Sequence, residues 1–546
     1  MTLVQDLREI LEGDVESDEK ILEEYSRDKS LFYVKPEVVV FPKNSEDVKK
    51  VVRYVNDHKK DDPHLSITGR SAGTDMSGGP LNESIILSFT RYMNHFDIHP
   101  MEDWARVEPG LYYRDLEKET LPHHIYMPSY PASKSICALG GMIMNNSAGE
   151  QTLRYGQTRE FVDEISIVLS DGVEYIFNDI YKEKLIENTM QNNFWGEIHK
   201  KMIDLLEKNY DFIQSKKPKV SKNSAGYALW DMWDKEKLSM HKLFVGSQGT
   251  LGIMTGAKLK LVHDKPCKKL IVLFFKNWSE LPEVVTPIIK IGPESLEAFD
   301  DETLKLGLRF MPEIAKKAGQ NLFSFAKEFL PEALIGIRMG RLPKLIVLVQ
   351  LVEETEKDIE NKVLNLKAVL KDFHVIFREI ENPHEAEKYW IMRRESFALL
   401  QKHVGKKRTA PFIDDFCIKP ELIPEFLPKM LKILKDFGIK ANIAGHAGDG
   451  NFHIIPLMDL ANPEERHKIP IVSDKVYDLI LQYRGTITAE HNDGIIRTPY
   501  LEKMYGKEMY GLFREVKRIF DPNNIFNPGK KVGGTLSYMR EHIIKS

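Results

Sequence analysis

Three runs of small residues set the terms on which this chain can fold. The first, Gly69-Arg-Ser-Ala-Gly73-Thr-Asp-Met-Ser-Gly78-Gly79, puts four glycines, two serines, an alanine and a threonine into eleven residues. The second is Ala138-Leu-Gly140-Gly141-Met-Ile-Met-Asn145-Asn146-Ser147-Ala148-Gly149, and the third is Val245-Gly246-Ser247-Gln248-Gly249-Thr250-Leu251-Gly252-Ile253. Without bulky side chains, successive backbone N–H groups stay exposed and make an anion nest suited to a pyrophosphate. The first run is neither G-x-G-x-x-G nor a P-loop, and it lacks the P-loop lysine. Alone it reads equally well as a glycine-rich turn. Three such runs between residues 69 and 253 exceed what turns require. They suit a fold in which a large, elongated ligand lies along exposed backbone.

The rest of the composition narrows the class. A chain of 546 residues is too long for one core, so two or three domains are expected. Its 77 basic and 81 acidic residues nearly balance, which argues against a polyanion-binding protein. Met1 to Lys20 carry seven acidic side chains and no apolar run, so no signal peptide is visible. No stretch approaches the roughly 18 apolar residues of a spanning helix. Three scattered cysteines (Cys137, Cys267, Cys417) make neither a disulfide framework nor an iron–sulfur site, and they favour a cytoplasmic setting. Electrons moved by such a chain would have to leave to a separate acceptor.

Periodicity supplies the elements. Residues 1–30 read as a charged helical lead-in. A short strand at 36–41 precedes a helix capped by Ser45, with Val48, Val51, Val52 and Val55 on one face. A strand at 65–68 then completes a β-α-β unit that feeds the first glycine run. Beyond residue 265 the glycine runs stop. Strands at 269–275, 296–300, 345–351 and 374–380 alternate with helices at 279–291 and 353–373, suggesting an α+β sheet with helices on one face. Residues 304–345 interrupt this pattern with eight basic residues, three acidic ones and interleaved Leu322, Phe323, Phe325, Phe329, Leu330 and Leu334. The favoured reading is helices packed over the sheet with a solvated basic face. The minority reading is peripheral contact with an anionic membrane, on its inner face, or with an electron-accepting partner.

One stretch carries metal chemistry. In Gly445-His446-Ala447-Gly448-Asp449-Gly450-Asn451-Phe452-His453 the two histidines stand seven apart, wrong for one helix face and right for a β-hairpin. The reading is a strand at 440–446, a turn at 447–452 and a return strand at 453–458. Both imidazoles then face one divalent cation. Glu490, in Thr488-Ala489-Glu490-His491, offers a third ligand, and two histidines with a carboxylate are a common catalytic set with a position left open.

The three small-residue runs, in this order and continued by Leu153-Arg154-Tyr155-Gly156 and Lys222-Asn223-Ser224-Ala225-Gly226-Tyr227, resemble the FAD-binding domain of the vanillyl-alcohol oxidase / p-cresol methylhydroxylase (PCMH) superfamily. The second half, through 519–530 (Ile-Phe-Asp-Pro-Asn-Asn-Ile-Phe-Asn-Pro-Gly-Lys), is similar to the glycolate oxidase / D-lactate dehydrogenase / D-2-hydroxyglutarate dehydrogenase branch. The resemblance implies an α+β fold: a two-subdomain PCMH-type FAD-binding domain at 31–265, and an α+β, ferredoxin-like C-terminal FAD-oxidase cap at 266–518. A tail at 519–546 then returns to the first domain. It implies FAD contacts from Arg70, Ser71, Ala72, Gly73, Thr74, Ser77 and Gly78 in the first run, and from Gly140, Gly141, Asn145, Ser147, Ala148 and Gly149 in the second. Tyr155, Gly156, Gly249, Thr250, Gly252, Ile253 and Asn527 complete that set. Some relatives attach the flavin through a histidine in the first loop; residues 70–76 have none, so the FAD is expected to be non-covalent. Three departures stand out: Asp75 adds a negative charge, Gln248 stands where many relatives have glutamate, and Asn492 where many have glycine.

The implied reaction is oxidation of a D-2-hydroxy acid to the 2-oxo acid. Metal ligands by motif are His446, His453 and Glu490, for Zn²⁺ first, with Mn²⁺ or Fe²⁺ also suited. His491 is the candidate base for the hydroxyl proton, with its near-neutral pKa. Arg393, in Tyr389-Trp-Ile-Met-Arg393-Arg394, is the candidate for the substrate carboxylate, with Arg394 read as a surface charge. Where hydroxyglutarate-specific relatives carry an asparagine and a lysine, this chain has Ile455 and Ile413, which tilts the reading toward a monocarboxylate such as D-lactate or glycolate. The acceptor (quinone, electron-transfer flavoprotein, iron–sulfur protein or O₂) and the oligomeric state, homodimer included, stay open. Competing readings are a D-2-hydroxyglutarate dehydrogenase, an alkyl-transferase-type flavoprotein, a non-catalytic flavoprotein subunit and a flavin-free metallohydrolase.

Overall fold

The computed structural model describes residues 2–317, 329–382, 385–394 and 407–545. Its first sheet runs in the order Asp14–Glu16, Val38–Phe41, Ile85–Ser88, Ile67–Arg70, the last three strands parallel. The lead-in is therefore not one helix. It is two short helices, Leu3–Ile10 and Glu19–Tyr25, around an edge strand that pairs antiparallel with Val38–Phe41. Asp47 fixes its approach by accepting the N–H groups of Glu12 and Gly13 at 3.0 and 2.9 Å. The crossover helix Ser45–His58 is capped by Asn44, one residue earlier than the sequence suggests, because the Asn44 side chain accepts from Asp47 N. Its four valines, Val48, Val51, Val52 and Val55, are fully buried against Val38, Val40, Ile85 and Leu87.

The second subdomain is an antiparallel five-stranded sheet in the order Phe96–His99, Trp104–Val107, Ile253–Lys260, Val162–Val168, Glu174–Phe177. The third glycine run thus leads straight into its central strand.

In the cap, the strands Cys267–Phe275, Ser295–Asp300, Leu345–Glu353 and Ile376–Ile380 pair antiparallel in the order fourth, first, third, second. Helices Leu281–Ile289 and Glu356–Leu370 join the first strand to the second and the third to the fourth, so this unit is β-α-β-β-α-β, ferredoxin-like. The sheet continues through Lys440–His446 and Asn451–Met458, with Arg408–Thr409 and Phe416–Cys417 both paired to the latter.

Helices cover both faces, not one. Leu281, Val285, Ile359 and Val363 pack on one side with Ile271, Val347 and Val349. Leu304, Ala315, Phe329 and Met339 pack on the other with Val272, Phe274, Ile346 and Leu348. Residues 345–349 are apolar without alternation, as a strand buried on both faces must be. The second cover comes from helices Asp301–Arg309, Met311–Lys317 and Leu330–Met339, within the basic stretch. Leu322, Phe323 and Phe325 lie outside the described residues; Leu334 is exposed.

The tail returns to the first domain. After helix Lys507–Phe520, Asn527 N donates to Ile67 O at 2.8 Å, and Ile543 bridges antiparallel to Phe32. Buried Lys517 holds this return, donating to Thr250 O at 2.7 Å and Phe526 O at 2.6 Å beside Asp521. Lys517→Met leaves those carbonyls without a donor and Asp521 buried without its cation. It is expected to lower unfolding stability by about 3–5 kcal/mol, read from the urea midpoint; an unchanged midpoint would contradict this account of the tail.

Candidate functional site

The glycine runs and the hairpin line one cavity of about 400 Å³ between the first domain and the cap. Ser71, Ala72, Gly73, Thr74, Gly140, Gly141, Asn145, Ser147, Ala148, Gly249, Gly252 and Ile253 form one side, and Arg393, Arg394, Ala444, His446, His453, Ile455, Glu490 and His491 form the other. A Cβ on Gly141 would meet only Ser71 Cβ, at 3.8 Å, and one on Gly249 only Gly252 O, at 3.9 Å. These two glycines open backbone to the cavity, which is the cradle an elongated cofactor needs.

The remaining predicted flavin contacts, Arg70, Ser77, Gly78, Gly149, Tyr155, Gly156, Thr250 and Asn527, do not line it. Arg70, Gly149, Thr250 and Asn527 pack behind its walls. Arg70 donates to the carbonyls of Tyr25 and Arg27, and Asn527 donates to those of Gly79 and Gln248. Thr250 Oγ1 donates to Ser247 O, and a Cβ on Gly149 would stand 2.0 Å from Tyr130 O. The Asp75 charge is spent inside the loops: its carboxylate accepts from Ser77 N, Ser77 Oγ, Gly79 N and Asn145 Nδ2 at 2.7–3.0 Å. Gln248 joins three segments, donating to Ser77 Oγ and Asn145 Oδ1 and accepting from Gly494 N.

In the hairpin the return strand begins at Asn451, two residues earlier than the sequence reading, because Asn451 and Phe452 pair with Cys417 and Phe416 on their other side. The turn shrinks to 447–450. Gly450 makes it, with φ +70° and Ile418 O 1.9 Å from where a Cβ would lie. His446 pairs with Asn451 and His453 with Ala444, so the imidazoles stand diagonally on one face, ring centroids 5.3 Å apart. Glu490 Oε1 lies 3.4 Å from His446 Nε2 and 3.2 Å from His453 Nε2. The three donor atoms fall within 4.8 Å of one another, and all three residues are buried.

Each histidine's other nitrogen is held: His446 Nδ1 by Glu297 Oε1 at 2.7 Å, His453 Nδ1 by Asp414 O at 3.2 Å. That outer arrangement turns Nε2 inward, as in carboxylate–histidine–metal sites. The donor set fits a divalent cation.

Charges around it are tightly paired. Burial would raise the Glu490 carboxyl, but Lys222 and His446 outweigh it and hold it well below its ordinary range. Burial lowers His453, leaving a neutral ring suited to ligation. The expectation of a near-neutral His491 is corrected: burial would lower it, yet Asp415 and Asp414 push it up to about 9, with Nδ1 2.8 Å from Asp414 Oδ2. Arg394 is not a surface charge. It pairs with buried Glu150, Nε to Oε2 at 3.0 Å, and lies over Trp390. Arg393 places Nε and Nη2 each 3.1 Å from Glu297 Oε2, so one edge of its guanidinium is shared with that carboxylate. Ile413 is buried away from the cavity, which leaves Ile455 as the residue of that pair that lines it.

Two family models match this chain: residues 36–176 match the FAD binding domain, and 265–531 the FAD linked oxidases, C-terminal domain. The chain belongs to the FAD-linked oxidases. D-2-hydroxyglutarate dehydrogenase of Escherichia coli (strain K12) is 26% identical over 92% of this chain, and the alignment spans 49% of that relative. Glycolate oxidase subunit GlcD of Bacillus subtilis is 27% identical over 91% of this chain and 88% of its own. D-lactate dehydrogenase of Archaeoglobus fulgidus is 24% identical over 91% of both. The chain thus spans about half the length of the hydroxyglutarate dehydrogenases it matches. In fold it resembles 4-ethylphenol oxidase from Gulosibacter chungangensis (TM-score 0.70, 16% identity, 98% of this chain and 97% of that one) and p-cresol methylhydroxylase (0.69, 17%, 98% and 96%).

Sequence reasoning missed the residues that fix the Glu490 and His491 segment. Asp415 is the chief one: Oδ2 accepts from the N–H groups of Ala489, Glu490 and His491 at 2.8–2.9 Å and from Thr488 Oγ1 at 2.6 Å, and Oδ1 from Asn451 Nδ2 at 3.0 Å. Burial opposes its charge, but His491 and Arg497 hold the carboxyl well below the usual range. A depressed acid adds stability above its unfolded pKa of about 4 and loses it as pH falls toward the folded value. Asp415→Asn is therefore expected to cost about 3 kcal/mol or more at pH 7, with the gap from the unsubstituted protein closing below about pH 4. Unfolding midpoints measured against pH check this, and a gap that widens in acid would contradict it.

Proposed function

We propose that this FAD-linked oxidase oxidises a D-2-hydroxy monocarboxylate, of the D-lactate or glycolate kind, to the 2-oxo acid. The observation that carries the reading is the convergence of His446, His453 and Glu490 on one point, beside His491, in the same cavity that the glycine runs line. When bound, FAD supplies the two-electron acceptor, and a divalent cation, Zn²⁺ first, the Lewis acidity that lowers the hydroxyl pKa.

The chain's own residues do the rest. His446, His453 and Glu490 present three single donor atoms and leave room for a fourth ligand. Arg393 attracts the substrate carboxylate and, being shared with Glu297, presents a partly neutralised charge. His491 takes the hydroxyl proton at Nε2, its Nδ1 being oriented by Asp414. The Asp415 and Asp414 carboxylates hold its pKa at about 9 against the effect of burial. A cation held by His446, His453 and Glu490 would lower it toward the value a base needs. The substrate tail faces Ile455 and Ala444, apolar groups that would leave a second carboxylate unpaired. Electrons then pass to an external acceptor, the three separate cysteines offering no cluster.

A dicarboxylate reading has support in the hydroxyglutarate dehydrogenases among the relatives, and in Arg394 at the cavity wall. Anaerobic mixing separates the two: D-lactate or glycolate should bleach the flavin, and D-2-hydroxyglutarate should not. Bleaching by none would end the 2-hydroxy-acid reading; bleaching by hydroxyglutarate alone would shift it to the dicarboxylate.

His491→Gln is expected to lower kcat/KM by about 10²–10⁴-fold. In the unsubstituted protein kcat/KM should rise with pH along an ionisation below 9, since a base acts only when deprotonated. A profile falling as pH rises through that range would remove His491 from the role.

A further inference from the structure

Lys222 belongs to neither matched segment, yet its ammonium reaches the donor cluster from the first domain. It is fully buried. Nζ lies 3.1 Å from Glu490 Oε2, 3.5 Å from Asp449 Oδ2, and 3.4 Å from both Asn451 Oδ1 and Gly149 O. The backbone on either side is pinned: Ser221 Oγ donates to Asp449 O at 2.9 Å, and Asn223 N to Gln157 Oε1 at 2.9 Å. Lys222 therefore meets Glu490 from a fixed direction.

The contacts divide the Glu490 carboxylate. Oε2 faces the ammonium, while Oε1 alone faces both imidazole Nε2 atoms. We propose that Lys222 is a positioning residue that reserves one oxygen of Glu490, so that this side chain ligates a divalent cation through Oε1 only. The proposal rests on the metal reading above and sharpens it.

Two physical reasons support it. A carboxylate oxygen that accepts from a buried ammonium cannot turn to a cation without leaving that ammonium unpaired, which a buried site resists strongly. A one-atom Glu490 also keeps an additional position open for a bidentate ligand such as a 2-hydroxy acid, whereas a chelating Glu490 would fill it. Because Lys222 and Glu490 come from different domains, the donor geometry is complete only when the two are docked.

The test uses the flavin-containing, full-length protein and Zn²⁺. In the infrared difference between Zn²⁺-loaded and metal-free protein, bands absent from Glu490→Gln report the Glu490 carboxylate. The asymmetric–symmetric splitting should be wider than that of a free carboxylate, the signature of one-oxygen ligation. A narrower splitting, the signature of chelation, overturns the proposal, and this reading needs no Lys222 variant to fold. Lys222→Met should weaken Zn²⁺ binding about 10- to 100-fold in chelator competition, and should have no further effect in the Glu490→Gln background. Unchanged affinity in the single variant, or losses that multiply in the double one, overturns it. Failure of the unsubstituted protein to bind Zn²⁺ removes the metal reading together with this one; Zn²⁺ binding with a chelating Glu490 removes the Lys222 assignment alone.

Discussion

The seam between the two domains is built on one constraint: a charge taken out of water must find its opposite. Glu490, Glu297, Asp449, Asp414 and Asp415 are all buried there. Their partners arrive from elsewhere in the chain. Lys222 faces Glu490 and Asp449, Arg393 and His446 face Glu297, and Arg497 pairs with Asp414. Removing one member of such a set leaves an uncompensated buried charge, which costs far more than the intact pair contributes. Of these pairs, those of Lys222 with Glu490 and Asp449 cross from the first domain to the cap, and the others lie within the cap. Glu150 with Arg394 extends the pattern over the cavity wall, and Lys531 with Asp493 extends it into the tail.

Backbone geometry follows from the same economy. Asp415 satisfies three consecutive N–H groups, at 489, 490 and 491, so the segment carrying Glu490 and His491 curls around one carboxylate. The next residue must turn sharply. Asn492 does so at φ +66°, a left-handed conformation that glycine adopts freely and asparagine tolerates. Its side chain adds something glycine could not. Nδ2 donates to Asn145 O and Gly246 O, tying the donor loop to the second and third glycine runs. The departure at 492 therefore preserves the backbone and adds a brace.

What could be read from the sequence was what repeats at short range. The hairpin, its two histidines, Glu490 and the small-residue runs are local patterns, and the structure brings them to one cavity. The ferredoxin-like strands are legible for the same reason. Single residues whose partners lie far away were not. Glu297 sits 149 residues from His446, and Lys222 sits 268 from Glu490; no local period marks either. The one available signal was chemical: acidic residues such as Glu297 and the Asp414-Asp415 pair, inside apolar strand-like context, require partners once buried. The cover on the second face of the cap sheet was also missed, though the unbroken apolar run at 345–349 already implied burial on both sides.

The hairpin ties the imidazole cluster and the cavity wall to one period-two pattern. On Asn451–Met458, His453 and Ile455 project to the same face, and Ala444 stands opposite His453 on the partner strand. Whatever sits at 455 is therefore held at a fixed distance along the strand from the His453 imidazole. A polar residue there would present hydrogen-bonding groups to the cavity in register with His453; isoleucine instead offers apolar surface. The apolar wall at 455 is consequently not separable from the placement of the imidazoles. A shift of the strand by one residue would turn His453 and Ile455 away from the cavity together. Pairing on both sides, with Lys440–His446 and with Phe416–Cys417, fixes the strand's register.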